Sequence, residues 1–369
     1  MTNIVICFDG TGAEIRAGGN TNVVQLFRRL HNKPGRQLTY YDPGVGTFSA
    51  AGAWTEPAQR ISRLFGVAFG TGMRTNLEEA YTFLINHWKP DDKIFIFGFS
   101  RGAYCARALT GMLYVVGMMR PNSENLVKYA VSNYARRKPK WRKENWKKAQ
   151  QFKSIMSQKV ESRKGEDHYW VPVTYLGLWD TVKAPGILRR SMEWPYTRKL
   201  PNVDAGRHAV SIDEKRRPFR EYLVAEGHST IQEVWFAGVH SDIGGGFVDK
   251  PCLGDIALKW ITDGARAAGI LLDEDPPLPP LTIAHATAAI HRAGWKWSLL
   301  TFRRRRVPAT AKIHASVRER IAQDPRYQQP CCRCCKKRLP TDSWSDLDWL
   351  TQQGPSTYAE QPRPAHRTP

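Results

Sequence analysis

Apolar residues change their spacing once within residues 93–117, and the change predicts a strand, a sharp turn and a helix. Ile94, Phe95, Ile96, Phe97 and Phe99 are interrupted only by Gly98, as in a strand buried on both faces of a parallel sheet. Ala103, Ala106, Ala108, Leu109, Met112, Leu113 and Val116 then recur at helical spacing, so the turn falls at Gly98-Phe99-Ser100-Arg101-Gly102. The same alternation precedes it. Residues 4–8 read as a short buried strand running into Asp9-Gly10-Thr11-Gly12. Asn20 or Thr21 caps a helix over 23–30, with Val23, Leu26 and Phe27 on one face and Arg28 and Arg29 on the other. A strand over 37–41 and a glycine-rich connection through Gly70-Thr71-Gly72 follow. They lead to a helix over 73–88 that turns Leu77, Ala80, Tyr81 and Leu84 inward. Strand and helix in strict alternation imply a mostly parallel, doubly wound α/β sheet.

The rhythm lapses from about residue 120 and resumes with a strand over 171–179, closed by Asp180-Thr181-Val182. A last strand over 233–239 runs into His240-Ser241-Asp242-Ile243-Gly244-Gly245-Gly246, and a helix over 253–269 covers the sheet. Pro276, Pro277, Pro279 and Pro280 then break the chain, and the stretch holding Trp295, Trp297, Phe302 and the arginine run 303–306 shows little periodicity. The organisation expected is a sheet domain over 1–270 with a helical insertion over 121–168. An extension over 271–340 packs on that core, and a Gln-, Pro-, Ser- and Thr-rich tail over 341–369 is expected to be poorly ordered.

Charge changes the picture in one segment. Of a net charge of +21 over 369 residues, residues 128–164 supply thirteen Lys or Arg against only Glu144 and Glu161. Arg136, Arg137, Lys138, Lys140, Trp141, Arg142, Lys143 and Trp146 interleave cations with aromatic rings, which suits a surface meeting lipid headgroups or nucleic acid. The competing reading is a solvated helical cap whose tryptophans point onto the core. Among the seven cysteines, Cys7, Cys105 and Cys252 read as small thiols of a reducing compartment. Cys331, Cys332, Cys334 and Cys335 offer overlapping C-x-x-C spacing with no second pair nearby, so no metal is assigned; exposed thiols or S-acylation are the alternatives. No basic leader with a cleavage site and no run of 18 apolar residues occurs, so the chain reads as made in the cytosol and not membrane-spanning, with any export independent of a cleaved signal. The glycine loops match neither G-x-x-x-x-G-K-[ST] nor a dinucleotide fingerprint, and no cofactor is expected.

Candidate chemistry comes from G-x-S-x-G at residues 98–102, set between strand and helix as a nucleophile elbow requires. Flanking glycines let the two backbones pass while Ser100 sits exposed on a strained turn; the plainer reading is a serine N-cap. Asp180 and His240 each follow a buried strand, and Ser, Asp, His is the chain order of α/β-hydrolases. In that arrangement His240 takes the proton of Ser100 and Asp180 fixes the imidazole. The N–H of Arg101, with a second from the loop of Asp9, Gly10 and Thr11, forms the oxyanion hole. Asp242, two residues after His240, is the rival acid; at that spacing it is better placed to brace its loop.

These motifs, together with Gly19-Asn20-Thr21-Asn22, Tyr41-Asp42-Pro43-Gly44-Val45-Gly46 and Trp235-Phe236-Ala237-Gly238-Val239, carry a resemblance over about residues 3–270. The chain resembles the α/β-hydrolase-like catalytic domain of the first family of type VI secretion phospholipase effectors and its broad bacterial and fungal relatives. That resemblance implies a serine-dependent carboxylic ester hydrolase acting on phospholipids or related lipid esters, with Ser100, Asp180 and His240 in the matching places. An anionic membrane is the surface it would sit on; nucleic acid is not expected as its partner. The alternative is an inactive hydrolase scaffold that binds anionic membranes or nucleic acid.

Overall fold

In a computed structural model, residues 1–10, 15–44, 68–135, 142–161, 167–183, 194–249, 252–291, 305–324, 327 and 343–350 are described. Eight strands form one sheet: β1 (Asn3–Phe8), β2 (Gln37–Asp42), β3 (Lys93–Phe99), β4 (Val173–Trp179), β5 (Val203–Ser211), β6 (Ile231–Phe236), β7 (Lys312–His314) and β8 (Trp344–Ser345). Their order is β8-β7-β6-β5-β4-β3-β1-β2, and every neighbouring pair is parallel. The fold is therefore α/β, with an α/β-hydrolase-like sheet. A separate antiparallel pair joins Val160–Glu161 to Asp167–His168.

Strand periodicity divides the core. In β1 and β3, Ile4, Ile6, Ile94 and Ile96 point to one face while Val5, Cys7, Phe95 and Phe97 point to the other, all fully buried. Helices α2 (Ala68–His87) and α3 (Arg101–Val115) cover the first face through Leu77, Leu84, Leu109 and Leu113. Helices α1 (Asn22–Phe27) and α7 (Leu253–Ala267) cover the second through Val23, Leu26, Ile256 and Ile261. Each such side chain contributes roughly 1.5–3 kcal/mol on burial. Thr21 is the N-cap of α1, accepting the Val24 N–H at 3.3 Å. Gly70 to Gly72, expected in a connection, belong to α2, which starts at Ala68.

Strand β5 was invisible to pattern reading because its centre is charged. Arg207 and His208 are buried there; His208 Nδ1 lies 2.8 Å from the Glu233 carboxylate on β6, its register partner. The Arg207 guanidinium lies over the Trp260 ring of α7 at 4.9 Å. Helix α8 (Ile283–Thr287) precedes β7, and α9 (Ala315–Gln323) lies between β7 and β8 in the chain. Within the tail expected to be poorly ordered from 341, Trp344–Ser345 form a strand and Trp349 is buried; residues 341–342 and 351–369 lie outside the described residues.

The basic segment contains α4 (Val127–Ala135) and α5 (Arg142–Met156). Three of its aromatic side chains turn inward, while Tyr129 is exposed. Trp146, expected on a membrane-facing surface, packs against the core beside Tyr196, Phe152 meets Tyr129, and Tyr134 is fully buried with its hydroxyl on the Pro195 carbonyl. Burying such rings gains far more than exposing them to water, so the cap reading describes these three residues. Arg136, Arg137, Lys138, Lys140 and Trp141 lie outside the described residues, as do the side chains of Arg142 and Lys143 and the cysteines at 331–335.

Candidate active site

Parallel register brings the site together. Phe99 pairs with Trp179 and Trp179 with Ala209, so Ser100 and Asp180 leave adjacent strands at the same level of the carboxyl edge. His240 follows β6 and opens the short helix α6 (His240–Gly244) on the same edge.

Ser100 has φ 59° and ψ −120°, a left-handed φ that a non-glycine residue adopts only when its surroundings impose it. They do so through backbone contact. A Cβ on Gly98 would lie 2.6 Å from the Gly102 carbonyl oxygen, and one on Gly102 would lie 2.4 Å from the carbonyl oxygens of Phe8 and Asp9. Although Ser100 occupies the N-cap position of α3, its side chain makes no capping bond. The hydroxyl lies instead 2.8 Å from Nε2 of His240.

The other ring nitrogen, Nδ1, lies 2.5 Å from Oδ2 of Asp180. That contact puts the ring proton on Nδ1 and leaves Nε2 to accept from the serine. The imidazole sits between Phe99 and Phe219, with centroids at 4.7 and 4.8 Å, and its own backbone N–H donates to Glu214 at 3.2 Å. Arg216 holds that glutamate through Nη2 at 2.7 Å. Ser100, Asp180 and His240 are all buried.

Burial lowers the His240 pKa below the ordinary imidazole value by penalising the cation, against the opposing pull of Asp180. That direction favours the neutral ring. Burial alone would raise the Asp180 carboxyl, but the Arg305 guanidinium and the His240 bond outweigh it and hold the group well below the usual carboxylate range. Arg305, from the arginine run at 303–306, donates to both Asp180 oxygens, at 2.5 and 2.9 Å, and is a site residue that sequence reasoning missed. Only its place in a cationic run marked it.

The remaining candidates divide. Arg101 opens α3 directly after the serine. Gly10 packs against the elbow, where an added Cβ would lie 3.6 Å from that of Ser100, but its N–H is donated to the Asp9 carboxylate at 2.6 Å and in this state points away from an oxyanion role. Thr11 lies outside the described residues. Asp9 also accepts from Thr21 at 2.6 Å and Tyr41 at 2.8 Å, and burial pushes its pKa up to about 6. Asp242 does not reach His240. Its carboxylate accepts the Val239 N–H at 2.9 Å and pairs with His291 at 2.6 Å, which ties down the loop. Among the described residues no cluster of metal-ligating side chains occurs, and no helix is long and apolar enough to cross a membrane.

A parallel sheet wound on both faces, with a strained serine turn, an aspartate and a histidine on its carboxyl edge, defines an α/β-hydrolase-like protein. A family model described as "T6SS, Phospholipase effector Tle1-like, catalytic domain" matches residues 2–264, and the chain belongs to that family. It is 33% identical over 225 residues to the uncharacterized protein YEL023C of Saccharomyces cerevisiae, a match covering 59% of this chain and 32% of the yeast protein. The chain thus spans about a third of the length of that curated relative. Two solved structures are also similar. One is an uncharacterized protein from Pseudomonas aeruginosa, at 18% identity and TM-score 0.42 over 73% of this chain and 46% of that one. The other is the Tle1 effector bound to the VgrG spike of the type 6 secretion system, at 20% identity and TM-score 0.36 over 67% and 51%.

Proposed function

We propose that the protein is a serine-dependent acyl-ester hydrolase of phospholipids or related lipid esters, with Ser100 as nucleophile, His240 as base and Asp180 as the acid that orients it. The observation that carries this reading is the unbroken relay from Ser100 Oγ to His240 Nε2 and from His240 Nδ1 to Asp180, at 2.8 and 2.5 Å. In the first step Oγ bonds to the acyl carbon while its proton passes to Nε2. The imidazolium gives that proton to the leaving alcohol oxygen as the ester C–O bond breaks. Water then repeats the sequence on the acyl-serine and releases the fatty acid. Developing charge on the carbonyl oxygen is met by the Arg101 N–H at the helix start, where the dipole favours an anion, and by a second donor from the loop of Gly10 and Thr11. For Gly10 to serve, its N–H must leave Asp9.

Family membership supports the lipid substrate over other acyl esters. It also supports secretion as an effector, and the composition of the basic segment at 128–164 is suited to an anionic membrane. Release of fatty acid from mixed anionic phospholipid vesicles, measured beside Ser100→Ala, tests the reading. Activity that vanishes in the variant supports it. Cleavage of a short-chain ester alone removes the phospholipase assignment, and inertness of the folded protein toward both substrates returns the inactive scaffold.

A further inference from the structure

Asp180 is gripped from three other parts of the chain. Oδ1 accepts the Ser211 N–H at 2.9 Å and Arg305 Nη1 at 2.5 Å; Oδ2 meets His240 at 2.5 Å and Arg305 Nη2 at 2.9 Å. The same guanidinium donates to the carbonyls of Ser211 at 3.1 Å and Phe219 at 2.5 Å, and its Nε lies 3.7 Å from Glu221. Its side chain is 2% exposed. Arg305 lies beyond residues 2–264 matched by the family model, in the stretch that goes on to form β7 and α9.

We propose that Arg305 is a positioning residue of the hydrolase site, supplied by the segment beyond the matched catalytic domain. It rests on the Ser-His-Asp reading. A carboxylate held at one oxygen by the imidazole and at the other by the single Ser211 N–H can still rotate about its own axis. The planar fork of Arg305 fixes that rotation by engaging both oxygens, which leaves Oδ2 aimed at Nδ1 of His240. Its charge acts as well. The groups facing His240 are Asp180 from β4, Glu214 from the segment after β5 with its partner Arg216, and Ser100 from the β3–α3 turn, with the neutral rings of Phe99 and Phe219 on either side. With Arg216 offsetting Glu214, Arg305 is the cation that offsets Asp180 among the described residues. Without it the imidazolium is stabilised, and His240 stays protonated, hence unable to act as base, up to a higher pH.

The full chain, Arg305→Gln, Arg305→Lys and Ser100→Ala are compared for hydrolysis of p-nitrophenyl butyrate across pH, with thermal unfolding as a folding control and the His240 titration followed by histidine-labelled NMR. Arg305→Gln is expected to lower kcat about 10- to 100-fold, the range for losing a group that orients a catalytic ligand, with KM changed less than about twofold. Its acid limb and the His240 midpoint should move up by about one pH unit. Arg305→Lys keeps the charge and loses the fork, so kcat falls while the limb stays in place. A kcat that falls only with the folded fraction, with limb and midpoint unmoved, overturns the proposal. If the Gln variant does not fold, wild-type kcat in Arg305→Lys overturns it instead. Full activity in Ser100→Ala would remove the underlying reading. The His240 midpoint then decides the role of Arg305 by itself, a rise supporting the clamp and no change overturning it.

Discussion

The turn that carries Ser100 and the strand end that carries Asp180 lie side by side, yet they are held by different means. Ser100 is held by backbone. Gly98 and Gly102 admit strand and helix within 2.4–2.6 Å of where a Cβ would stand, and the serine takes a φ of 59°. Asp180 is held by charge, from an arginine 125 residues further along the chain. Local geometry fixes the serine, and long-range electrostatics fixes the aspartate. The two therefore fail differently.

Activity should separate them least and suffer most. Ser100→Ala is expected to cost about 10⁴-fold or more in kcat with little change in thermal stability, because its hydroxyl makes only the bond to His240 among those described. Asp180→Asn should cost a comparable factor, through the wrong imidazole tautomer, and also destabilise the fold by about 3–5 kcal/mol by leaving the Arg305 cation buried without its carboxylate. Chemical unfolding of the two variants reads the contrast; equal stability would abolish it. Because the Asp180 pKa lies below its unfolded value of about 3.9, its contribution to stability is complete above that pH and is lost as pH falls toward the folded value.

Gly102→Ala strikes the backbone side. The new methyl must displace β1 at Phe8 and Asp9, for an expected loss of about 2–3 kcal/mol in a thermal melt. A wild-type melt would show that the elbow is not closed by contact. The pH profile of ester hydrolysis should rise through a single limb below about 6.5, since His240 must be neutral to take the proton and burial lowers its pKa. A limb above that value would mean that Asp180 dominates over desolvation. The smallest effect belongs to Asp249→Asn. This change removes the exposed outer partner of His291 while leaving Asp242 on the ring, and should cost no more than a few tenths of a kcal/mol.

How much was legible follows the same division. Strands β1, β3 and β4 are mostly apolar runs, β6 ends in one, and the glycines and serine of the elbow are a local pattern, so the sheet's centre and three residues that meet at hydrogen-bond distance could be named from the chain. Strand β5 could not, because Arg207 and His208 are buried against partners such as Trp260 and Glu233, which lie on other elements. Strands β7 and β8, at three and two residues, are too short to show a period. Arg305 lies in a cationic run whose surroundings show little periodicity. Its burial exists only once Asp180 is there to receive it.

One labelling experiment tests the hydrolase reading most directly: intact mass and peptide mapping after treatment with an alkyl fluorophosphonate, in the wild-type protein and in His240→Ala. The expected result is a single adduct on Ser100, formed rapidly in the wild type and slowly without the imidazole. Folded protein that takes no label, or takes it at another residue, would contradict it.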